Sequence, residues 1–199
     1  MVQRFIKGGN KLGSYISLGF VSASEKTAFL RTCKDVINFF TINIKNAQIK
    51  YPIDSECSEW ISENVNVNNL EKALNICYEY NYSELMLDYE INGRLISGVL
   101  FTITRNIGNL FGALFEIPEK NFDMLKEIDF IENEIINIMN QSILLGIEYI
   151  FCDNECNIEY LPSEIISKDN IYSILIYRHN EKNIIKLASW KIDGLTNRS

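Results

Sequence analysis

Residues 84–104 constrain the fold more tightly than any other stretch of this chain. Two strand-like runs, Glu84–Ile91 and Arg94–Thr104, are joined by Asn92-Gly93, a dipeptide that accepts the left-handed angles required at both central positions of a type I′ turn. A two-residue loop also fixes the register. It sets Ile91 against Arg94, Tyr89 against Ile96 and Leu87 against Gly98. Leu85, Leu87, Tyr89, Ile96 and Leu100 are then expected on a core face, with Asp88, Glu90, Leu95, Ser97 and Val99 on a mixed face. After a turn at residues 106–109, Leu110–Ile117 reads as a third antiparallel strand.

The remaining elements follow from hydrophobic period. Ser14–Val21 alternates, with Ile16, Leu18 and Phe20 on one face and the small Ser17 and Gly19 on the other, and is expected to be a strand. Ser22-Ala-Ser-Glu25 resembles a capping box ahead of a helix over about Glu25–Phe40, whose apolar positions are Phe29, Leu30, Cys33, Val36, Ile37 and Phe40. A short extended piece at Ala47–Tyr51 ends at Pro52. Beyond it Asp54, Glu56, Glu59 and Glu63 surround Trp60 and Ile61 on an expected short helix, and the Asn-rich residues 64–69 cap a helix built on Leu70, Ala73, Leu74 and Cys77. Pro118 opens a long helix that Gly146 closes. Ile147–Cys152 and Asn157–Leu161 read as strands, and Tyr172–Arg178 with Ile184–Ile192 as a hairpin across His179–Asn183. Because strands and helices come in clusters, the expected architecture is one α+β domain at residues 13–195, mainly antiparallel sheet with about three helices packed on it. A basic extension at 1–12 and a polar tail at 196–199 flank it.

Charge narrows the function. Residues 1–50 carry eight Lys and Arg against Glu25 and Asp35, whereas residues 51–199 carry eleven against twenty-four acidic residues. Two acidic blocks, 51–90 and 116–164, hold net charges of −8 and −10. If they merge in space, they form a field that steers a basic protein to docking; if they face opposite directions, the segregation serves only solubility. A pI near 4.9 argues against direct nucleic-acid binding, which draws on clustered Lys and Arg. No apolar run reaches the roughly 18–20 residues of a membrane span, and the N-terminus lacks the apolar stretch of a secretory signal, so a cytoplasmic location is expected. Five cysteines are an odd number, and Cys33 and Cys77 fall on apolar helix phases, so disulfides are not expected.

Chemistry-bearing motifs are sparse. His179 is the only imidazole and falls on a hairpin tip, where a surface role is the default. Cys152-Asp-Asn-Glu-Cys156 has neither the two-residue spacing nor the second pair of a zinc site, and no metal or cofactor is expected. Asp153, Glu155 and Glu159, with Glu148 and Glu164, allow a hard-cation or acid/base reading, but calcium-loop spacing is missing. Aromatic Tyr149, Phe151 and Tyr160 interleave with these carboxylates, as in a protein-binding patch.

Four segments carry a family resemblance. Gly13-Ser-Tyr-Ile-Ser-Leu-Gly-Phe20, Phe111-Gly-Ala-Leu-Phe-Glu-Ile-Pro118, Tyr149-Ile-Phe-Cys-Asp-Asn-Glu-Cys-Asn-Ile-Glu-Tyr160 and Trp190-Lys-Ile-Asp-Gly194 resemble the immunity proteins of bacterial polymorphic-toxin systems, in the group numbered sixty-four, over about residues 13–195. The resemblance implies a non-enzymatic cytosolic protein that binds the toxic domain of a cognate effector. It transfers no binding residues. A toxin that attacks nucleic acid needs a basic cleft, and an acidic inhibitor can occupy that cleft or dock beside it.

The expected function is therefore stoichiometric inhibition of a cognate toxin domain with a basic surface, through Asp88, Glu90, Asp153, Glu155, Glu159 and Tyr160. A small hydrolase with paired carboxylates and an adaptor or homo-oligomer subunit are the alternatives, and the oligomeric state stays open.

Overall fold

Nine strands, each antiparallel to its neighbours, form one sheet in the order β3-β2-β4-β5-β6-β1-β7-β8-β9. The computed structural model describes residues 15–23, 25–40, 43–54, 56–91, 93–107, 110–118, 121, 132–143 and 147–189. The strands are β1 (Tyr15–Ser22), β2 (Ile44–Pro52), β3 (Trp60–Asn64), β4 (Tyr82–Ile91), β5 (Arg94–Ile107), β6 (Leu110–Pro118), β7 (Ile147–Asn154), β8 (Ile174–His179) and β9 (Lys182–Leu187). The described helices are α1 (Lys26–Phe40), α2 (Leu70–Glu79), α3 (Glu132–Ile143) and α4 (Pro162–Ile165).

This corrects the expected fold class. The chain is not an α+β domain of helices packed on a sheet; it is dominated by the nine-stranded sheet, with four short helices among the described residues. The sequence reading underestimated the sheet for a physical reason. Polar strands such as β3, with sequence Trp-Ile-Ser-Glu-Asn, bury little and show no clean alternation, so the acidic stretch around Trp60 read as helix. Ala47–Tyr51, read as a short extended piece, is the middle of nine-residue β2. Asn157–Leu161 forms no strand, and apart from the helical Asn121 the stretch 119–131 of the long helix expected after Pro118 lies outside the described residues, as do Asn92, Trp190–Gly194 and both chain ends.

From β2 to β8 the sheet buries one face. Ile16, Leu18 and Phe20 of β1, Ile49 of β2, Leu85, Leu87 and Tyr89 of β4, Phe115 and Ile117 of β6, Ile150 and Cys152 of β7, and Ile174 and Ile176 of β8 share a core with Phe29, Cys33, Val36 and Ile37 of α1. Leu74 and Cys77 of α2 and Met139 and Ile143 of α3 join it. Each fully buried large apolar side chain contributes on the order of 1.5–3 kcal/mol. Burial pushes the pKa of the Cys77 thiol up to about 11 and raises that of Cys33 well above its ordinary range, and no disulfide joins the described cysteines.

On the opposite face, Val21, Leu114, Tyr149, Phe151, Leu175 and Tyr177 form a second cluster covered by Ile165 and Tyr172. The segment 155–172 is tied down there: Tyr149 OH donates to Tyr160 O (2.6 Å) and Tyr172 OH to Asn157 O (3.0 Å). Gly19 of β1 is required by this packing, since a Cβ there would lie 2.2 Å from Phe151 Cζ.

A turn and a bulge set the register of two hairpins, β8–β9 and β4–β5. Asn180 and Glu181 take φ of +48° and +64° in the two-residue β8–β9 turn, tighter than the loop expected at His179–Asn183. In the β4–β5 hairpin, Ile91 pairs with Arg94 and Tyr89 with Ile96 as expected, but Leu87 pairs with Val99 rather than Gly98. Ser97 and Gly98 together oppose Asp88, with Gly98 at φ +77°. This bulge flips every later β5 side chain. Val99, Phe101 and Ile103 are buried in the core instead of Leu100.

Candidate partner-binding surface

The bulge decides what Asp88 does. Its Oδ1 accepts from Gly98 N–H (3.1 Å) and its Oδ2 from Asn46 Nδ2 (3.2 Å), so the carboxylate stitches β4 to strands on both sides. Glu90, two residues on, lies 3.0 Å from Lys45 Nζ in a half-exposed ion pair, which contributes at most about 1 kcal/mol.

Asp153 is also structural in its contacts. It is 8% exposed, its Oδ1 accepts from Asn154 N–H (2.8 Å) and its Oδ2 from Ser173 N–H (2.9 Å). Glu155 is different: it is exposed, has φ of +47° and donates its backbone N–H to Tyr15 O (2.9 Å). Glu159 is exposed as well. Tyr160 is half-buried, edge-on to Tyr172 (6.1 Å), with Lys168 Nζ 4.8 Å from its ring centroid.

These residues lie toward one end of the strands but in two groups. β4 and β7 are third and seventh in the sheet, four spacings or roughly 19 Å apart. Of the aromatics expected to interleave with the acidic loop, Tyr149 and Phe151 are fully buried in the second cluster. The paired-carboxylate chemistry named as the alternative needs two carboxylates converging on a substrate, whereas Asp153 is committed to backbone N–H groups. A shallow cavity of about 300 Å³ is lined by Asp169, Tyr172, Leu175, Lys186 and Leu187 and by none of the nominated residues. Lys186 Nζ is held there by Asp169 Oδ1 (2.8 Å) and Lys168 O (2.7 Å). His179 is exposed at the end of β8. Cys156 Sγ lies 3.8 Å from Ser17 O and from Asp153 O, in a half-buried setting that raises its pKa, chiefly by desolvation. Among the described residues, no group of three or more His, Cys, Asp or Glu side chains is placed to hold a metal ion, and no helix is long and apolar enough to cross a membrane.

A second acidic surface, its carboxylates noted in the sequence but not nominated for binding, lies at the opposite end of the strands. The β2–β3 loop is knotted around Asp54, whose Oδ1 accepts from Ser58 N–H (2.9 Å) and whose Oδ2 accepts from Ser58 Oγ and Glu59 N–H (3.2 Å). These bonds hold the Asp54 carboxyl below its ordinary range, Ser58 Oγ first among them. The loop presents Ile53, 59% exposed, and Trp60, 40% exposed. The signal was present in the sequence as an aromatic among four carboxylates, but a helix there would have scattered them.

Sheet, bulged hairpin and acidic composition do not by themselves define a class of protein; the family comparison does, and the class is that of the immunity proteins. The family model of immunity protein 64 matches residues 12–198, and the chain belongs to that family. Neither the curated proteins nor the solved structures gave a match.

Proposed function

We propose that this protein protects its host cell by binding the toxic domain of a cognate polymorphic toxin as a stoichiometric inhibitor, without turning over a substrate. The observation that carries this reading is membership of an immunity-protein family across nearly the whole chain, joined to a charge balance of 24 acidic residues against 11 basic ones from residue 51 onward. A negative exterior steers a basic domain into encounter and raises the on-rate more than the intrinsic affinity. Glu155 and Glu159, exposed beside Tyr160, are the members of the nominated set best placed for that work; Asp88, Glu90 and Asp153 act through the fold they hold. The cytoplasm is the compartment in which such an inhibitor meets a toxin that has entered the cell.

Co-expression with the C-terminal domain of the secreted protein encoded beside this chain tests the reading. The expected result is rescue of growth and a 1:1 complex on co-purification. Failure of both, with each protein folded, contradicts it.

A further inference from the structure

On the face of β3, β2, β4 and β5 turned away from the main core, Pro52 and Thr102 are buried but most of the other side chains are half-buried or exposed. Register places Trp60 and Ser62 beside Pro52 and Lys50, then Glu84 and Met86, then Leu100, and none of Lys50, Glu84, Met86 and Leu100 is fully buried. No described element is packed over them. At the outer corner the Trp60 indole is fixed without a partner: Nε1 donates to Cys57 O (2.9 Å), and the ring meets Tyr82 edge-on at 5.8 Å and 86°. Tyr82 OH in turn donates to Glu84 Oε1 (3.0 Å). An aromatic already held in place loses little entropy on docking, which is the property of a hot-spot anchor.

Charge selects the occupant. Between Ile53 and Asn64 the chain carries Asp54, Glu56, Glu59 and Glu63 and no Lys or Arg, and Glu56 and Glu59 are exposed beside the exposed Ile53 and Trp60. An apolar centre beside a run of carboxylates, with no cation within residues 53–64 and Lys50 the one basic residue on the adjoining strand face, disfavours a second copy of this chain and is complementary to a cationic protein surface. We propose that the Ile53–Trp60 corner, continuing onto Met86 and Leu100, is the docking surface for a basic face of the partner protein, with Trp60 as its anchor and Glu56 and Glu59 as its steering charges. This rests on the toxin-binding reading above and moves the centre of the interface from the β7 end to the opposite edge of the sheet, six strand spacings or roughly 29 Å away.

The test uses the full chain and the toxic domain encoded beside it, in stopped-flow association and equilibrium titration. Trp60→Ala is expected to weaken binding by about thirtyfold or more, mainly through faster dissociation. The Glu56→Lys/Glu59→Lys double variant is expected to slow association about tenfold at low salt. Its substitutions are at exposed positions, so it serves if Trp60→Ala loosens the loop, and a matching unfolding curve checks each variant. Wild-type affinity in both variants, or loss confined to Glu155→Lys/Glu159→Lys, overturns the proposal while leaving the toxin-binding reading in place. Failure of the wild-type protein to bind overturns both. Concentration-dependent dimerisation abolished by Trp60→Ala would assign the corner to a second copy and also overturn the proposal.

Discussion

Tyr89 carries a hydroxyl into the centre of the core, where it is fully buried and finds no hydrogen-bond partner among the described residues. Desolvation alone raises its pKa far above that of an exposed phenol. An unsatisfied buried hydroxyl costs about 1–3 kcal/mol. Tyr89→Phe is therefore expected to stabilise the protein by about 1 kcal/mol in urea unfolding, and a loss of stability would contradict the geometry. Asp153 is the converse case. Both of its oxygens accept backbone N–H groups, and Asn supplies only one acceptor oxygen, so Asp153→Asn is expected to cost about 1–3 kcal/mol while leaving toxin association unchanged in stopped flow. Nothing in the sequence distinguishes Asp153 from Glu155, its neighbour but one. The difference arises because Asp153 is still in β7, opposite Ser17, whereas Glu155 has left the strand at positive φ.

Elements were legible where period and turn chemistry agreed. β1, α1, α2, β6 and β7 stand within a few residues of their expected bounds, because each buries one regular stripe. Asn92-Gly93 announced the β4–β5 hairpin, and the pairs nearest its turn are as expected. The rest of that hairpin was not legible, since a bulge depends on what lies across the strand. Gly98 was expected to pair with Leu87, and its place in a bulge shows only in the fold, where its N–H donates to Asp88. Gly19 was read only as a small residue, yet it is the space that lets Phe151 stack on Tyr172 at 4.0 Å. Gly19→Ala drives a methyl into that ring and is expected to cost about 3 kcal/mol, the upper end for an overpacked site. Adding Phe151→Leu to it should recover part of the loss in a double-mutant cycle, and additive effects would show that the two do not touch. The edge strand β3 was hidden for the opposite reason: its only core-directed apolar residue is the half-buried Ile61, and so short an edge strand carries no period to read.

At the scale of the molecule, the pairing order puts the acidic β2–β3 loop at one edge of the sheet and the acidic segment after β7 six strand spacings away, at the other end of the strands, so these two described parts of the acidic blocks supply separate surfaces. Their ionisation also supports the fold. Asp54, through Ser58, and Glu79, through the side-chain bond from Lys26, titrate below the ordinary carboxyl range. Each therefore contributes stability that is complete above the unfolded carboxyl pKa of about 4 and is lost as pH falls through the lower folded value. Asp54→Asn should lower the melting temperature at neutral pH and converge with wild type below about pH 3; a constant gap would contradict that linkage. The central claim is that this chain works by pressing a preformed negative surface against a basic protein. Its most direct test is the association rate of the purified protein with the neighbouring toxic domain, followed from low to high salt. The account predicts a 1:1 complex whose on-rate falls about tenfold or more between 50 mM and 500 mM salt, numbers set by screening of steered encounters. A salt-independent on-rate, or no complex at any ionic strength, would contradict it.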